Sequence, residues 1–425
     1  MSFEGTSLAL DTSHAEGAAR ALRTTVAVRT RARQLLARAR VGASRWFVVH
    51  DAALQTTAAD VAQYTRQRHP DLKIPLHSRW RHFEAGGVDR KAALDARLAH
   101  LDAPARARTM IDLALVSVLL DAGAGPDWAY HEAASGQRFT RSEGLAVASW
   151  HAFLGGLFSS NADHPLQVDA VGLRGLIADR LGEALQVGPA NPLVGLDGRV
   201  LLLRRLGEAL AAQPEVFGPE GRPGGLFDML VAPQGPSSIA PTATLAAHDI
   251  LSQLLMSLSG IWPTDNAIGP EPLGDCWRHE AVSGDGLTAG WMPLHKLSQW
   301  LSYSLLEPFQ WAGVHIEGLD ALTGLAEYRN GGLLLDSGVL QLRDPQWALR
   351  SWQAGDELVV EWRALTVALL DELAPLVRAH LGVSAAQMPL ACVLEGGTWA
   401  AGRALAQRLR GGAPPLHVAS DGTLF

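Results

Sequence analysis

Residues 325–332 read "LAEYRNGG". Glu327 sits in an apolar run with Tyr328 and Arg329 directly behind it, and Asn330, Gly331 and Gly332 follow. Two readings suit that order. One is a structural ion pair; the other is a working carboxylate whose neighbours tune its charge. A second acid–aromatic–base triplet, Glu361-Trp362-Arg363, lies at the start of an apolar helical pattern. A partly buried carboxylate there needs a partner, so the structural reading predicts a reciprocal ion-pair network joining Glu327 and Arg329 to Glu361 and Arg363. Between 293 and 308, "PLHKLSQWLSYSLLEP" predicts a helix with Pro293 near its start and Pro308 at its end. Lys296, Gln299, Trp300 and Tyr303 share one stripe of it. A lysine flanked by aromatics is a strong local cation when that stripe faces a pocket. The commoner fate of a lysine is to snorkel at the surface.

Other clusters carry polar and aromatic groups. Residues 75–90 pack His77, Arg79, Trp80, Arg81, His82, Glu84, Asp89 and Arg90 around two glycines. The alternative is a solvated loop with ion pairs. His82 and Glu84 are metal-ligand types, but no third ligand stands at a diagnostic spacing. Residues 127–150 hold Trp128, Tyr130, His131 and Glu132, then Arg141, Ser142 and Glu143. Ser142 is the expected cap of the next helix, whose N-terminus beside Arg141 suits a phosphate or carboxylate. "LEGGTWAAGR" adds Glu395, Trp399 and Arg403. There is neither a G-x-G-x-x-G after a strand nor a P-loop, so no nucleotide cofactor is expected. Several acid–arginine–aromatic clusters without a metal set suit a polar, ring-bearing small molecule.

The elements that must position these groups read as mostly α, with minor β, in a single large unit spanning 1–425. Helical patterns cover 15–45 (one or two helices), 91–121 ending at Gly123, 174–186, 199–212 and 361–381, the last divided or kinked at Pro375. Asn330 is the expected cap of a short helix that Gly338 ends. "SRWFVVH" (44–50) and "LHVASDGTLF" (416–425) are the better strand candidates. The chain has 425 residues, 48% hydrophobic and 19% charged, with 36 Lys+Arg against 43 Asp+Glu. The resulting charge of −7 disfavours nucleic acid as a partner. Cys276 and Cys392 are too few and too far apart for a disulfide framework or a zinc ribbon. No signal-peptide order opens the chain and no apolar run spans a bilayer, so a cytoplasmic protein with no membrane partner is expected.

The stretches "HSRWRHFEAGGVDR", "RSEGLAVASW", "HKLSQWLSYSL", "LAEYRNGGLLLDSGVL", "EWRALTVALLDEL" and "DGTLF" resemble the uracil-catabolism proteins of the URC/Urg type over nearly the whole chain. The C-terminal half, about 240–425, is more distantly similar to the queuosine salvage glycosidase, an all-helical, DNA-glycosylase-like enzyme that cleaves an N-glycosidic bond. That resemblance rests on Lys296…Gln299, on Ala326-Glu327-Tyr328-Arg329 and on Glu361-Trp362-Arg363. It implies a catalytic pair, Lys296 and Glu327, with Glu standing where the relative has Asp. It further implies an N-ribosyl hydrolase. The URC route passes through a ribosylated pyrimidine, ring opening and urea release, so ribosylurea or its 5′-phosphate is the expected substrate. Arg141, Arg329 or Arg363 would then meet a phosphate, and Trp128, Tyr130 or Trp399 would flank the urea or ring plane. Ser142, Glu143, Glu361 and His82 complete the expected contacts. The alternatives are an amidohydrolase acting on a ring-opened pyrimidine and a non-catalytic binding protein of uracil metabolism.

Overall fold

The computed structural model describes residues 10–231, 243–419 and 422–423. The chain is mostly helical, with strands of two to four residues that pair in twos. Among the described residues no helix is long and apolar enough to cross a membrane. The chain gathers into two compact units.

The first unit takes residues 10–75, Thr264–Lys296 and Asp320–Ala419. Its spine is the helix Glu357–Leu381, which packs on the helices Thr25–Arg40 and Asp51–Arg68. Leu358, Trp362, Leu365, Leu369, Leu373 and Val377 are buried along it at helical spacing. The helix starts four residues before the predicted start and runs on through Pro375, which is exposed, rather than dividing there. Residues 15–45 form two helices, Ala15–Leu22 and Thr25–Arg40, because Thr24 caps the second by accepting from Ala27 N–H. The predicted strand is Phe47–Val49, antiparallel to Leu340–Leu342. His417–Val418 pairs parallel with Ser351–Trp352, and most of the "DGTLF" that follows lies outside the described residues.

The short strand Cys276–Arg278 pairs with Trp291–Pro293 and delivers the chain to Lys296. Cys276 and Trp291 join Ala18, Ala19, Leu22, Ile268 and Leu273 in one apolar cluster. Cys276 and Cys392 are both buried, and neither is in a disulfide. The helix Tyr328–Asp336 packs against Trp399–Arg410, which follows a π-helical turn at Leu394–Thr398.

The second unit takes residues 76–231, 243–263, Leu297–Leu319 and 422–423. The pattern at 91–121 is two helices, Arg90–Arg97 and Ala103–Leu119, the second capped by Asp102 with Pro104 in its first turn. It closes at Leu119 and not at Gly123. Residues 174–186 break into Ala170–Arg174 and Ala178–Ala184, with Gly175 closing the first. The helix Lys296–Trp311 does not stop at Pro308. The carbonyl that proline leaves unpaired, that of Ser304, accepts the indole N–H of Trp80 at 3.0 Å. Pro293 belongs to the preceding strand.

Candidate active site

Lys296, Glu327, Arg329, Glu361, Arg363 and Trp399 all belong to the first unit. Glu327 is the N-cap of the helix Tyr328–Asp336. Its two carboxylate oxygens accept from the backbone N–H groups of Arg329 and Asn330, each at 2.7 Å. The predicted cap, Asn330, lies inside the first turn instead. Glutamate has the reach to fold back onto the second and third helical amides, and here it does. Gly331 and Gly332 are helical, not a turn. Gly331 is small because the helix Glu357–Leu381 lies against it: a Cβ there would stand 2.7 Å from the Trp362 ring, whereas a Cβ on Gly332 would meet Pro415 at 3.3 Å. Trp362 Nε1–H donates to the Gly331 carbonyl at 3.1 Å. Asn330 is buried and its amide oxygen accepts from Thr398 Oγ1 at 2.8 Å, which ties the first turn to the π-helical turn.

Glu327 is only 9% exposed. Burial raises its pKa above the usual carboxylate value; the two N–H bonds and the nearby positive charges of Lys296 and Arg329 pull the other way. Glu327 is therefore a carboxylate that burial pushes toward its neutral form and its neighbours hold toward the ionised one. Arg329 is buried and lies over the Tyr328 ring at 4.8 Å, with Nη1 donating to the Gly412 carbonyl at 3.3 Å. Its buried Nε–H has no acceptor among the described residues.

Lys296 is the first residue of its helix and half-buried. Its backbone N–H donates to Asp275 Oδ2 at 2.9 Å. Asp275 also forms a bidentate pair with Arg363, both contacts at 2.8 Å, and accepts from Trp277 Nε1 at 2.8 Å. Burial acts to raise its pKa, but Arg363 and the N–H donors win and hold it down at about 2. Arg363 Nε donates in turn to the Ala326 carbonyl at 3.1 Å, one residue before Glu327. His295, next to Lys296, is buried with a positive φ of 47°. A non-glycine residue held in that region marks a backbone the surroundings over-determine. Burial also lowers the His295 pKa, so its ring is neutral, with Nε2 at 3.0 Å from the Leu22 carbonyl.

The predicted network therefore pairs differently. Glu361 contacts His279 Nε2 at 3.0 Å and accepts from Ser44 Oγ, while Arg363 goes to Asp275. Trp399 is half-buried, with the Arg403 guanidinium over its ring at 5.5 Å. Asp275, His279, His295 and Ser44 were not singled out by the sequence. An isolated acid in "LGDCWRH" has no pattern of its own; the glycine before it, Gly274 with φ of 59°, is the one local signal of a shaped turn.

The remaining predicted residues belong to the second unit. His82 is buried, 3.4 Å from Arg79 Nη1 and edge-on to Trp300. Glu84 pairs with Arg81 at 2.7 Å. No group of three metal-ligating side chains gathers among the described residues. Ser142 does not cap its helix: Thr140 holds that position without a side-chain bond, and the Ser142 carbonyl accepts from Arg79 at 3.2 Å. Arg141 is exposed, with a positive φ of 55°, and Glu143 lies near enough to Arg79 to stabilise its charge. Trp128 is fully buried and its indole N–H goes to the Leu185 carbonyl at 3.0 Å. Tyr130 stacks on His151.

A family described as "Protein of unknown function (DUF1688)" matches residues 21–425. Two curated proteins are similar over most of the chain. "Uracil catabolism protein 4" of Lachancea kluyveri is 38% identical over 379 residues, 83% of this chain and 85% of that protein. "Protein urg3" of Schizosaccharomyces pombe is 40% identical over 358 residues, 83% of this chain and 84% of that one.

Proposed function

We propose that this chain, which belongs to the DUF1688 family, acts in uracil metabolism as an N-ribosyl hydrolase. The substrate we assign is ribosylurea or its 5′-phosphate, and the products are urea and ribose or ribose 5-phosphate. The role in uracil catabolism is suggested by the name of the Lachancea kluyveri relative. The observation that carries the chemical reading is Glu327: a buried carboxylate fixed by two backbone N–H groups at a helix N-terminus, under the positive charge of Lys296 and Arg329.

Hydrolysis of an N-glycoside breaks the bond from the anomeric carbon to nitrogen and adds the oxygen of water to that carbon. Positive charge builds on the sugar in the transition state. An ionised carboxylate whose own solvation is replaced by fixed N–H donors stabilises that charge without reorganising, and it can accept the proton of the attacking water. The ammonium of Lys296 holds the carboxylate ionised or donates a proton toward the departing urea nitrogen. The unspent Nε–H of Arg329 offers a charge-assisted bond to a ligand oxygen.

The test supplies the purified protein with ribosylurea and with its 5′-phosphate and measures urea. Release from one of them is expected. No urea from either, or full activity in Glu327→Gln, refutes the assignment.

A further inference from the structure

We propose that Asp275 is the positioning residue of this site: paired with Arg363, it holds Lys296 and Glu327 in mutual register. The inference rests on the hydrolase reading for its kinetic consequence but not for its geometry. Lys296 and Glu327 are 31 positions apart (327 − 296) and stand on different helices. A chain of buried polar contacts joins their backbones. Lys296 N–H donates to Asp275 Oδ2 at 2.9 Å, both Asp275 oxygens take the Arg363 fork at 2.8 Å, and Arg363 Nε–H donates to the Ala326 carbonyl at 3.1 Å. The approach to Lys296 is tied to the same residue, because the Asp275 carbonyl accepts from Leu294 and His295 N–H, both at 3.0 Å. The positive φ of His295 is held between those bonds and the contact of its ring with the Leu22 carbonyl.

The side chains of Asp275 and Arg363 are 3% and 2% exposed. A buried bidentate pair of this kind resists sliding, since each donor direction is fixed by the planar fork. Asp275 does not need to touch substrate to matter. It closes the orphan N–H at the start of the Lys296 helix and, through Arg363, fixes the peptide that leads into the Glu327 cap. Loss of the pair lets the two ends relax separately, and a misplacement of about 1 Å between catalytic groups costs on the order of 100-fold in rate.

The charged groups that face Glu327 are Lys296 and Arg329, and both lower its pKa. That supplies a readout a merely structural residue would not move. If Asp275 sets the distance of Lys296, its loss weakens that pull and the Glu327 titration moves up. Simple removal of a neighbouring negative charge would move it down.

The experiment titrates the Glu327 carboxyl by 13C NMR in wild type, Asp275→Asn and the double variant Asp275→Asn/Arg363→Gln, with Glu327→Gln to assign the signal. The double variant avoids leaving an unpaired buried guanidinium. In folded variants the midpoint is expected to rise, with kcat down by about 10- to 100-fold and KM within about 3-fold. An unchanged or lowered midpoint in Asp275→Asn, or in the double variant, overturns the inference. If wild type releases no urea the hydrolase reading fails, yet the titration still decides the role of Asp275.

Discussion

Glu327→Gln separates the capping role of this residue from its chemical one. The amide has the shape of the carboxylate but a single acceptor oxygen, so it keeps one of the two 2.7 Å cap bonds and points an NH2 at the other N–H. Loss of a cap bond costs about 1 kcal/mol. The charge works in the opposite direction. Burial raises the folded-state pKa of Glu327 above its unfolded value, so the folded state binds the proton more tightly. That contribution to stability is present below the unfolded pKa and is lost as pH rises through the folded one; at neutral pH the ionised side chain is a net cost. Replacing it with a neutral amide removes that cost. The two effects offset, and the melting temperature at pH 7 is expected to stay within about 4 °C of wild type. Activity does not share in the cancellation. Removal of a group that takes a proton and answers the developing charge lowers kcat by about 10² to 10⁴, or roughly 3 to 5 kcal/mol of barrier. Calorimetry and a urea-release assay on the same preparation decide it. A variant that keeps more than about a tenth of wild-type kcat, or melts far lower while staying active, shows that Glu327 is a cap and nothing more.

Other outcomes follow from the same geometry. Glu327→Asp keeps a good capping group but withdraws the carboxylate by one methylene, so near-native stability with kcat reduced by about 10- to 100-fold is expected from parallel melts and kinetics. Lys296→Met removes a charge that lowers the Glu327 pKa, so the acidic limb of the kcat profile should move to higher pH; an unmoved limb would show that Lys296 does not tune the carboxylate. Gly331→Ala drives a Cβ to 2.7 Å from Trp362 and 2.9 Å from Thr366 Oγ1, and should cost about 1–3 kcal/mol by urea denaturation. Asp275 has a folded pKa of about 2 against an ordinary value of 3.8. Its contribution, on the order of 2 kcal/mol, is present above pH 3.8 and lost as pH falls toward 2, so Asp275→Asn should flatten the acid-unfolding curve in that window.

Periodicity makes the long helices legible, because their buried faces repeat at helical spacing: Leu196–Ala211 and Thr25–Arg40 stand close to where the pattern puts them. Their ends are less legible where tertiary partners change the local rules. Pro308 reads as a stop, but Trp80 satisfies the carbonyl that proline strands, and the helix continues to Trp311. Asn330 reads as a cap on intrinsic preference, yet glutamate three residues earlier folds back and takes the role. Within the site, Lys296, Glu327, Arg329 and Arg363 stand out because acids and bases in apolar runs violate the expected pattern. Asp275 does not, since the partners that tie it to the site, Lys296 and Arg363, lie 21 and 88 positions away and local spacing carries no trace of them. The network expected between the two acid–aromatic–base triplets fails for the same reason: similar triplets suggest each other as partners, whereas His279, Ser44 and Asp275 come from elsewhere in the chain.

A carboxylate has about four lone-pair directions, and the two cap bonds of Glu327 occupy one on each oxygen. Two directions remain, on a group that cannot turn without breaking the start of its own helix. On the hydrolase reading, an incoming water and a developing cation must come to Glu327 along lines the backbone has already drawn. A substrate would then be selected less by what the carboxylate can reach than by whether its anomeric carbon can be brought to a stationary oxygen. Enlarging the range of accepted ribosides would require reshaping the walls around the acid while leaving the acid untouched.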